Sequence, residues 1–186
     1  IEKELALRLG RKDKRERIAG LYVIIDAQTL SGGTETEATR QAIKGGAEII
    51  QLRDKHSGHR ELLSTAQELR QICTKANVLF IVNDYVDLAL ATDADGVHLG
   101  QGNLPVSAAR EILPLDKLIG CSARTVDQVL DAQKEGADYI AVGSIYPSPT
   151  KPSAEVVGLE GLRQIKNAVS VPVVALGGIT ESNAAE

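Results

Sequence analysis

The sequence predicts an α/β protein, a (β/α)8 TIM barrel from which strand eight and its helix are absent in this chain segment. Two observations predict this fold. Short apolar runs alternate with amphipathic stretches from Leu21 to the end of the chain, which is the pattern of a parallel sheet. A short sequence also recurs ahead of every second run. The 186 residues are enough for one domain.

The predicted strands are short, rich in Val and Ile and largely without alternation, as in strands that are covered on both faces. Seven strands are predicted: Leu21–Asp26, Glu48–Arg53, Val78–Asn83, Gly96–Leu99, Leu118–Ser122, Tyr139–Gly143 and Val173–Gly177. Apolar stripes with a helical period separate them. The two clearest stripes are Leu62, Leu63, Ala66, Leu69, Ile72, Cys73 and Ala76, and Leu159, Leu162, Ile165 and Val169.

The recurring sequence is Gly46-Ala47-Glu48, Asp93-Ala94-Asp95 and Gly136-Ala137-Asp138, and its copies precede strands two, four and six. In the first and third copies the glycine fits the C′ position of a helix, where φ is positive. A fourth copy would fall roughly at or just past position 180, so we expect an eighth strand beyond Glu186. An open seven-stranded parallel sheet is the alternative, but it explains the spacing less well.

Residues 1–19 are predicted to form a helical extension or linker ahead of a barrel domain, residues 20–186, that is incomplete at its C-terminus. Leu5, Leu9 and Ile18 stand in helical register among mixed charges. This pattern indicates a helix that packs under the barrel or belongs to an upstream segment. The chain begins at Ile1 and contains no Met, so we expect it to be part of a longer product, with an upstream domain left open.

Composition argues against several classes of partner. The net charge of -4 does not favour nucleic acid or an anionic membrane. No apolar run approaches the roughly 20 residues that a membrane helix needs. No secretory signal is visible, so a cytoplasmic location is expected. Cys73 and Cys121 give neither a disulfide framework nor a metal motif and are expected to be buried thiols.

Polar residues cluster where the predicted strands end, which is where barrel enzymes place their sites. Gln51, Arg53 and Lys55 follow strand two at a spacing of two, so in an extended segment they point the same way. An amide, a guanidinium and an ammonium on one face form a clamp for an anion. The alternative is three solvated surface residues, but Ile49 and Ile50 just before them indicate a buried strand.

Asn83 and Asp84 close the apolar run of strand three. A carboxylate at the end of a buried strand needs a partner, and Mg²⁺ shared with substrate phosphates is one such partner. Alternatively, Asp84 caps the N-terminus of a helix that starts at Tyr85, and the two roles can coexist. We interpret His98, at the end of strand four, as a structural residue, with acid–base catalysis as the alternative. No Ser/His/Asp or Cys/His arrangement with the spacing of a nucleophile is present.

Two further loops carry groups that suit phosphate. The long loop Ser144–Val157 after strand six contains the hydroxyls of Ser148 and Thr150 and the ammonium of Lys151. After strand seven, Gly177-Gly178 would let a phosphate approach backbone N–H groups, at a place where barrels often bind phosphate. The alternatives are an ordinary rigid surface loop and an ordinary strand end.

Six motifs resemble those of the thiamin phosphate synthase (thiamine-phosphate pyrophosphorylase) family, in order and with the right spacing over about residues 20–186. They are Gln-Leu-Arg-Asp-Lys at 51–55, Val-Asn-Asp at 82–84, Gly-Val-His-Leu-Gly-Gln at 96–101, Gly-Cys-Ser-Ala-Arg-Thr at 120–125, Ile-Tyr-Pro-Ser-Pro-Thr-Lys at 145–151 and Leu-Gly-Gly-Ile at 176–179.

The resemblance implies a (β/α)8 barrel transferase that uses Mg²⁺. It would join 4-amino-5-hydroxymethyl-2-methylpyrimidine diphosphate (the pyrimidine diphosphate) to 4-methyl-5-(2-phosphoethyl)thiazole (the thiazole phosphate), giving thiamin phosphate and pyrophosphate. Pyrophosphate would leave first and the thiazole nitrogen would trap the cation. Such a dissociative displacement needs charge stabilisation and alignment more than acid–base groups.

The resemblance also implies roles for single residues. The ligands of the pyrimidine diphosphate would be Gln51, Arg53, Lys55, Asn83, Ser122 and Lys151, and those of the thiazole phosphate would be Ser148, Thr150 and Gly178. The groups that stabilise the leaving pyrophosphate would be Arg53, Lys55 and Lys151. Asp84 and Asn103 would bind Mg²⁺. The family usually has an acidic residue where this chain has Asn103, and often one at Gly102, so a negative charge is lost.

Two other functions stay open. The related thiazole tautomerase is similar in fold, but it uses a histidine at about the place of Arg124, and arginine cannot act as a base at neutral pH. A non-catalytic barrel that binds thiamin precursors or phosphosugars is the second alternative, and it would show no Mg²⁺-dependent release of pyrophosphate.

Overall fold

The computed structural model describes residues 1–30, 32–148 and 155–186, and a sheet of seven parallel strands forms its centre. The strands are β1 Leu21–Asp26, β2 Ala47–Arg53, β3 Leu79–Asn83, β4 Gly96–Leu99, β5 Leu118–Ala123, β6 Tyr139–Val142 and β7 Val173–Ala175. Each predicted strand is present, with ends that shift by at most two residues. The largest shift is at β7, which stops before Gly177 because the positive φ of that residue, 93°, leaves the extended region.

Seven helices lie among the described residues: α1 Glu2–Glu16, α2 Glu35–Lys44, α3 His59–Ala76, α4 Val86–Ala91, α5 Val106–Ile112, α6 Val126–Glu135 and α7 Gly158–Ala168. Gly46 and Gly136, which follow α2 and α6, have φ values of 93° and 100°, as the recurring sequence predicts. Cys73 and Cys121 are free and buried. Within the described ranges, no helix combines the length and the apolar character needed to cross a membrane.

The strands are ordered in the sheet as they are in the chain, from β1 to β7, and every neighbouring pair is parallel. In the part of the chain that the structure describes, β1 and β7 are the edges of this sheet. The sheet is a nearly closed TIM-like barrel without an eighth strand between them. The predicted α/β barrel is therefore confirmed.

Apolar packing forms an outer layer and an inner cluster. The outer layer joins the helices to the outward faces of the strands. The inner cluster lies within the barrel and consists of Ile18, Ile49, Leu79, Ile81, Leu118 and Tyr139. Because residues two apart on a strand share a side, Gln51 follows Ile49 inside the barrel and Asn83 follows Ile81. The strands thus lead from an apolar floor to a polar end.

The aspartates of the second and third repeats have the same structural role at the N-terminal ends of the strands. Asp95 Oδ2 accepts the backbone N–H of Phe80 at 3.0 Å, and Asp138 Oδ2 accepts that of Ile119 at 2.8 Å. Each carboxylate also pairs with an arginine, from α3 and α5 respectively. The recurring sequence therefore marks the closed lower end of the barrel.

Helix α1 buries none of its own residues. Leu5 and Leu9 are 56% and 51% exposed, because two leucines on an otherwise charged helix make too narrow a stripe to pack. Ile18, just beyond the helix, inserts into the inner cluster, and Lys14 Nζ lies 3.4 Å from Asp95 Oδ1. The leading helix predicted within residues 1–19 is present as α1, and of the three apolar residues in its register only Ile18 is buried. The segment is held under the barrel by Ile18 and by ion pairs.

Candidate active site

A cavity of about 340 Å³ opens at the C-terminal ends of β2, β3, β4 and β5. Its lining residues are Arg53, Lys55, Asn83, Asp84, His98, Gly100, Gly102, Asn103 and Ser122. Six of them are site residues predicted from the sequence: Arg53, Lys55, Asn83, Asp84, Asn103 and Ser122. Four different strands and the loops that follow them converge here, because the carboxyl ends of parallel strands meet at one end of a barrel.

The three residues of the predicted clamp lie at two depths in the barrel. Arg53 and Lys55 line the cavity, and each faces a carboxylate. The guanidinium of Arg53 pairs with Asp26 at the end of β1, and Lys55 Nζ lies 3.2 Å from Asp84 Oδ2. Gln51 lies one level deeper, 2% exposed, and is not part of the cavity wall. Of the three predicted clamp residues, only the two cations therefore line the cavity.

Asp84 does not cap a helix. Helix α4 begins at Val86, and its N-cap residue, Tyr85, makes no side-chain cap hydrogen bond. The predicted N-cap role is wrong, because the chain turns sharply at Asp84, which has a φ of 66°. The backbone N–H of Asp84 donates to the carbonyl of His98 at 2.8 Å, and this bond leaves the carboxylate facing Lys55 and the cavity.

Asn103 lies across the cavity from the end of β3. Its Oδ1 accepts the N–H of Gly100 at 2.6 Å, which closes the loop after β4. An amide oxygen has two lone pairs, so one remains for another partner. Asp84 and Asn103 therefore each offer this cavity an oxygen of the kind that binds a hard cation.

His98 is buried at the floor of the cavity, where it is 5% exposed. Its Nε2 lies 2.8 Å from Ser122 Oγ and its Nδ1 lies 3.2 Å from the hydroxyl of Tyr139. Burial lowers the pKa of His98 to about 4, against a smaller raising effect of Asp84. The imidazole is thus neutral at physiological pH and connects the barrel interior to Ser122.

The loops after β6 and β7 contact one another beside the cavity. The N–H groups of Ile145 and Tyr146 donate to the carbonyls of Leu176 and Gly177, each at 3.0 Å. A Cβ on Gly178 would lie 2.6 Å from the carbonyl oxygen of Tyr146, so this close approach itself requires glycine. Ser148 is half-buried in the same region. The predicted ligands Thr150 and Lys151 lie outside the described residues.

Four residues near the site were missed by the sequence analysis. Asp26 ends β1 as Asn83 ends β3, so the position of polar residues at strand ends could have identified it. Asp54 Oδ1 accepts the N–H groups of His56 and Ser57 at 2.8 and 3.1 Å and shapes the loop after β2. The other two are Tyr22 and Tyr139, which have no local signal in the sequence because their roles depend on their contacts across the barrel.

The chain matches the family model for thiamine monophosphate synthase over residues 21–186. A thiamine-phosphate synthase from Caldanaerobacter subterraneus subsp. tengcongensis is 49% identical over 166 residues, which are 89% of this chain and 78% of the relative. A thiamine-phosphate synthase from Pyrococcus furiosus is 46% identical over 166 residues, with the same shares of the two chains.

Solved structures agree with this match. Thiamine phosphate pyrophosphorylase from Pyrococcus furiosus superposes with a TM-score of 0.84 at 44% identity, covering 92% of this chain and 80% of that chain. A structure named native KDPGal superposes with a TM-score of 0.64 at 16% identity, over 90% of this chain and 77% of that chain, and shows the fold alone.

The extent of these matches decides the family. The family model spans most of the chain, and the relatives share close to half of its residues over more than three quarters of their own length. The prediction of an enzyme, a transferase of the thiamin phosphate synthase type, is confirmed. The chain belongs to the thiamine monophosphate synthase family.

Proposed function

We propose that this chain couples the pyrimidine diphosphate to the thiazole phosphate, giving thiamin phosphate and pyrophosphate. The observation that carries the proposal is the cavity that Arg53 and Lys55 share with the amide of Asn83 and the hydroxyl of Ser122. Two cations beside two neutral polar groups suit a diphosphate attached to a ring with nitrogen acceptors. The names of the relatives support the same reaction.

The proposed reaction needs no net proton transfer. The C–O bond between the methylene carbon of the pyrimidine and the diphosphate breaks, and pyrophosphate leaves with the electron pair. The thiazole nitrogen then gives its lone pair to the methylene carbon and forms the C–N bond. The task of the protein is therefore to stabilise the negative charge on the leaving group and to align the two rings.

Arg53 and Lys55 are placed for the first task. The Arg53 side chain is 17% exposed and is held by Asp26, so little conformational freedom is left for it to lose when a diphosphate binds. The Lys55 side chain is 47% exposed and can turn from Asp84 toward a ligand. Lys151 would add a third cation in this scheme, from outside the described residues.

Asp84 and Asn103 would hold Mg²⁺. Mg²⁺ that is bound together with a diphosphate usually takes one or two protein carboxylates and completes its octahedron with water and phosphate oxygens. One carboxylate and one amide oxygen fit such a shared ion. They do not form a cage of protein ligands alone, and among the described residues no three His, Cys, Asp or Glu side chains come together. When bound, the ion would neutralise charge on the diphosphate.

The thiazole phosphate would bind between the loops after β6 and β7. Its proposed ligands are Ser148 and Gly178, with Thr150 outside the described residues. The hydrogen bonds that join the two loops support this proposal, because ligands on two connected loops are held at a fixed separation. This arrangement would place the phosphate beside the cavity that holds the diphosphate.

Replacing Arg53 tests the proposal. Arg53→Ala should cost about 2–4 kcal/mol of transition-state stabilisation, the scale of one preorganised charge contact, and should slow coupling roughly 30- to 1000-fold. Arg124→Ala is the matched control, since Arg124 is exposed at the same end of the barrel and does not line the cavity. Pyrophosphate release is the readout. Near-normal turnover of Arg53→Ala would remove Arg53 from the active site.

The metal site has a separate test. Asp84→Ala should abolish coupling even at high Mg²⁺, because it removes the carboxylate from the site. Asn103→Asp should lower the Mg²⁺ concentration that gives half-maximal rate, since it adds a charge where the amide oxygen now stands. An unchanged Mg²⁺ dependence in Asn103→Asp would place Asn103 outside the metal site.

Pyrophosphate release also separates the proposal from its alternatives. A thiazole tautomerase or a non-catalytic barrel would release none from the pyrimidine diphosphate. Arg124 Nε donates to the carbonyl of Gly143 at 3.3 Å, so the residue at the place of the tautomerase histidine is a hydrogen-bond donor here. This contact favours the coupling reaction over tautomerisation.

A further inference from the structure

Five polar side chains form a continuous chain of hydrogen bonds through the interior of the barrel. Gln51 Nε2 lies 2.8 Å from the hydroxyl of Tyr22, which lies 2.9 Å from the hydroxyl of Tyr139. From Tyr139 the chain continues to His98 Nδ1 at 3.2 Å and from His98 Nε2 to Ser122 Oγ at 2.8 Å. The five residues come from β1, β2, β4, β5 and β6, and the last one lines the cavity.

The chain of hydrogen bonds has a direction, because the NH₂ group of Gln51, and not its carbonyl oxygen, faces Tyr22. The NH₂ group of Gln51 is a donor, so the hydroxyl oxygen of Tyr22 accepts from it. The one proton of the Tyr22 hydroxyl then goes to Tyr139, and the proton of Tyr139 goes to His98 Nδ1. His98 Nδ1 is therefore the acceptor, and a neutral imidazole in this position carries its proton on Nε2.

The direction determines what Ser122 can do. His98 Nε2–H donates to Ser122 Oγ, so the Ser122 hydroxyl does not need its own proton for His98. Since Ser122 lines the cavity, that proton is left for a ligand. In the opposite direction Ser122 would donate to His98 and would present only lone pairs to the cavity.

We propose that this chain of hydrogen bonds makes Ser122 a hydrogen-bond donor to an acceptor atom of the pyrimidine diphosphate, with Tyr139 and His98 as positioning residues. The inference rests on the proposed function for the identity of the ligand, but the direction of the chain does not depend on that identity. Neither Tyr139 nor Tyr22 reaches the cavity wall. They act on the ligand through His98 and Ser122.

The packing around Tyr139 shows that the hydroxyl chain is built into the fold. Tyr139 is 0% exposed, and its ring occupies the space in front of Gly120, where a Cβ would lie 2.1 Å from Cζ. A buried hydroxyl without a hydrogen-bond partner is costly, and a phenylalanine would fill nearly the same volume. A tyrosine hydroxyl buried here is therefore favourable only if it has hydrogen-bond partners, and both tyrosines have them.

The tautomer of His98 is the direct test, and it requires no substrate. In protein labelled with ¹⁵N-histidine, two-bond ¹H–¹⁵N correlations should show His98 with its proton on Nε2, and the His98→Gln variant assigns the signals. Tyr139→Phe should shift His98 toward the Nδ1–H form, because the donor to Nδ1 is gone. Tyr146→Phe is the matched control, since the Tyr146 hydroxyl donates to Glu186 and contacts no histidine. An Nδ1–H tautomer in the unmodified protein would overturn the proposal.

A double-mutant cycle tests whether Tyr139 acts through Ser122. Tyr139→Phe should raise KM for the pyrimidine diphosphate about 3- to 10-fold, the effect of one lost hydrogen bond, and leave KM for the thiazole phosphate unchanged. In a Ser122→Ala background the same change should have no further effect. Full additivity would mean that Tyr139 has a packing role alone and would overturn the proposal.

The two tests separate the inference from the proposed function. If the unmodified protein does not couple the substrates, the proposed function fails, while the tautomer measurement still decides the direction of the chain. If coupling is normal but the tautomer is Nδ1–H, the proposed function stands and the inference fails. If Tyr139→Phe does not fold, the tautomer of the unmodified protein remains decisive.

Discussion

The two ends of the barrel use the same kinds of charged residue differently. At the N-terminal ends of the strands, Asp95 and Asp138 are 6% and 4% exposed, and each accepts a backbone N–H as well as a guanidinium. At the C-terminal ends, the Asp84 side chain is 14% exposed and faces Lys55 beside the cavity. The charges of one end hold the strands together, and those of the other can meet a ligand.

The hydrogen bond to the backbone makes the difference. A carboxylate that accepts the N–H of a strand cannot turn to a ligand without loss of that contact, whereas one that faces only a half-exposed lysine can. Buried ion pairs are found both in active sites and in purely structural networks. At the N-terminal end of this barrel, the structural pairs are those whose carboxylates accept a backbone N–H from a strand.

Removal of a carboxylate from the N-terminal end of the barrel should give the largest loss of stability. Asp138→Ala removes the carboxylate partner of Arg110 and the acceptor of the Ile119 N–H, and breaking a buried pair in this way costs about 3–5 kcal/mol. Urea unfolding measures the change. Glu4→Ala is the control, because that side chain is 55% exposed, pairs with the equally exposed Arg8 and should lose at most about 1 kcal/mol. Equal losses in the two variants would contradict the structural role of the lower end.

A methyl group added inside the barrel, between its two ends, should cause the second largest loss of stability. Gly120→Ala would place a Cβ against the buried ring of Tyr139, and overpacking of this kind costs about 1–3 kcal/mol. Gly102→Ala is the control, because no atom lies within 4 Å of the Cβ position there. Thermal unfolding compares the variants. A Gly120→Ala variant as stable as Gly102→Ala would show that Tyr139 does not pack against residue 120.

Asp54 lies at the C-terminal ends of the strands, but its carboxylate should stabilise the fold, as those of Asp95 and Asp138 do at the N-terminal ends. Burial raises the pKa of Asp54, but hydrogen bonds from Ser57 and His56 outweigh this effect and lower it below its ordinary value. The stability that it contributes is therefore present above about pH 5 and is lost as the pH falls below about 4. Asp54→Asn should cost about 1 kcal/mol at pH 7.

The pH dependence checks this expectation. Urea midpoints measured between pH 7 and pH 3 should fall less steeply in Asp54→Asn than in the unmodified protein, since the variant has no carboxylate to protonate. Asp131→Asn, at an exposed position on α6, should keep the slope of the unmodified protein. Parallel curves for all three proteins would contradict the assignment.

The smallest change in stability is expected at the cavity. Asp84→Asn removes a half-exposed ion pair with Lys55, which is worth about 0–1 kcal/mol, and asparagine tolerates the φ of 66° at this position. Coupling activity should nevertheless be lost, because the carboxylate is the proposed Mg²⁺ ligand. A loss of stability as large as that of Asp138→Ala would group Asp84 with the structural aspartates.

The strands could be predicted from the sequence because each is buried on both faces and therefore has a continuous apolar composition. The site residues at the C-terminal ends of the strands could be predicted for a related reason. Arg53, Asn83 and Asp84 stand at or directly after the ends of such apolar runs, and parallel strands end together. The exact end of β7 could not be predicted, because it depends on the backbone conformation of Gly177.

Contacts across the barrel were beyond prediction. The hydroxyls of Tyr22 and Tyr139 meet across 117 positions of the chain, and no local pattern predicts such a pair. The pairing of Asp26 with Arg53 depends in the same way on the register of β1 against β2. For α1 the apolar register predicted the helix itself, but it could not show that Ile18 is buried while Leu5 and Leu9 are exposed.

The order of the strands has a consequence for how the chain folds. Each strand pairs with its neighbour in the sequence, so the sheet can grow by the addition of one strand after another. The hydrogen-bonded chain from Gln51 to Ser122 is the exception, because it is complete only when β1, β2, β4, β5 and β6 are all in place. A partly folded barrel can therefore have most of its secondary structure while Ser122 still lacks its orientation.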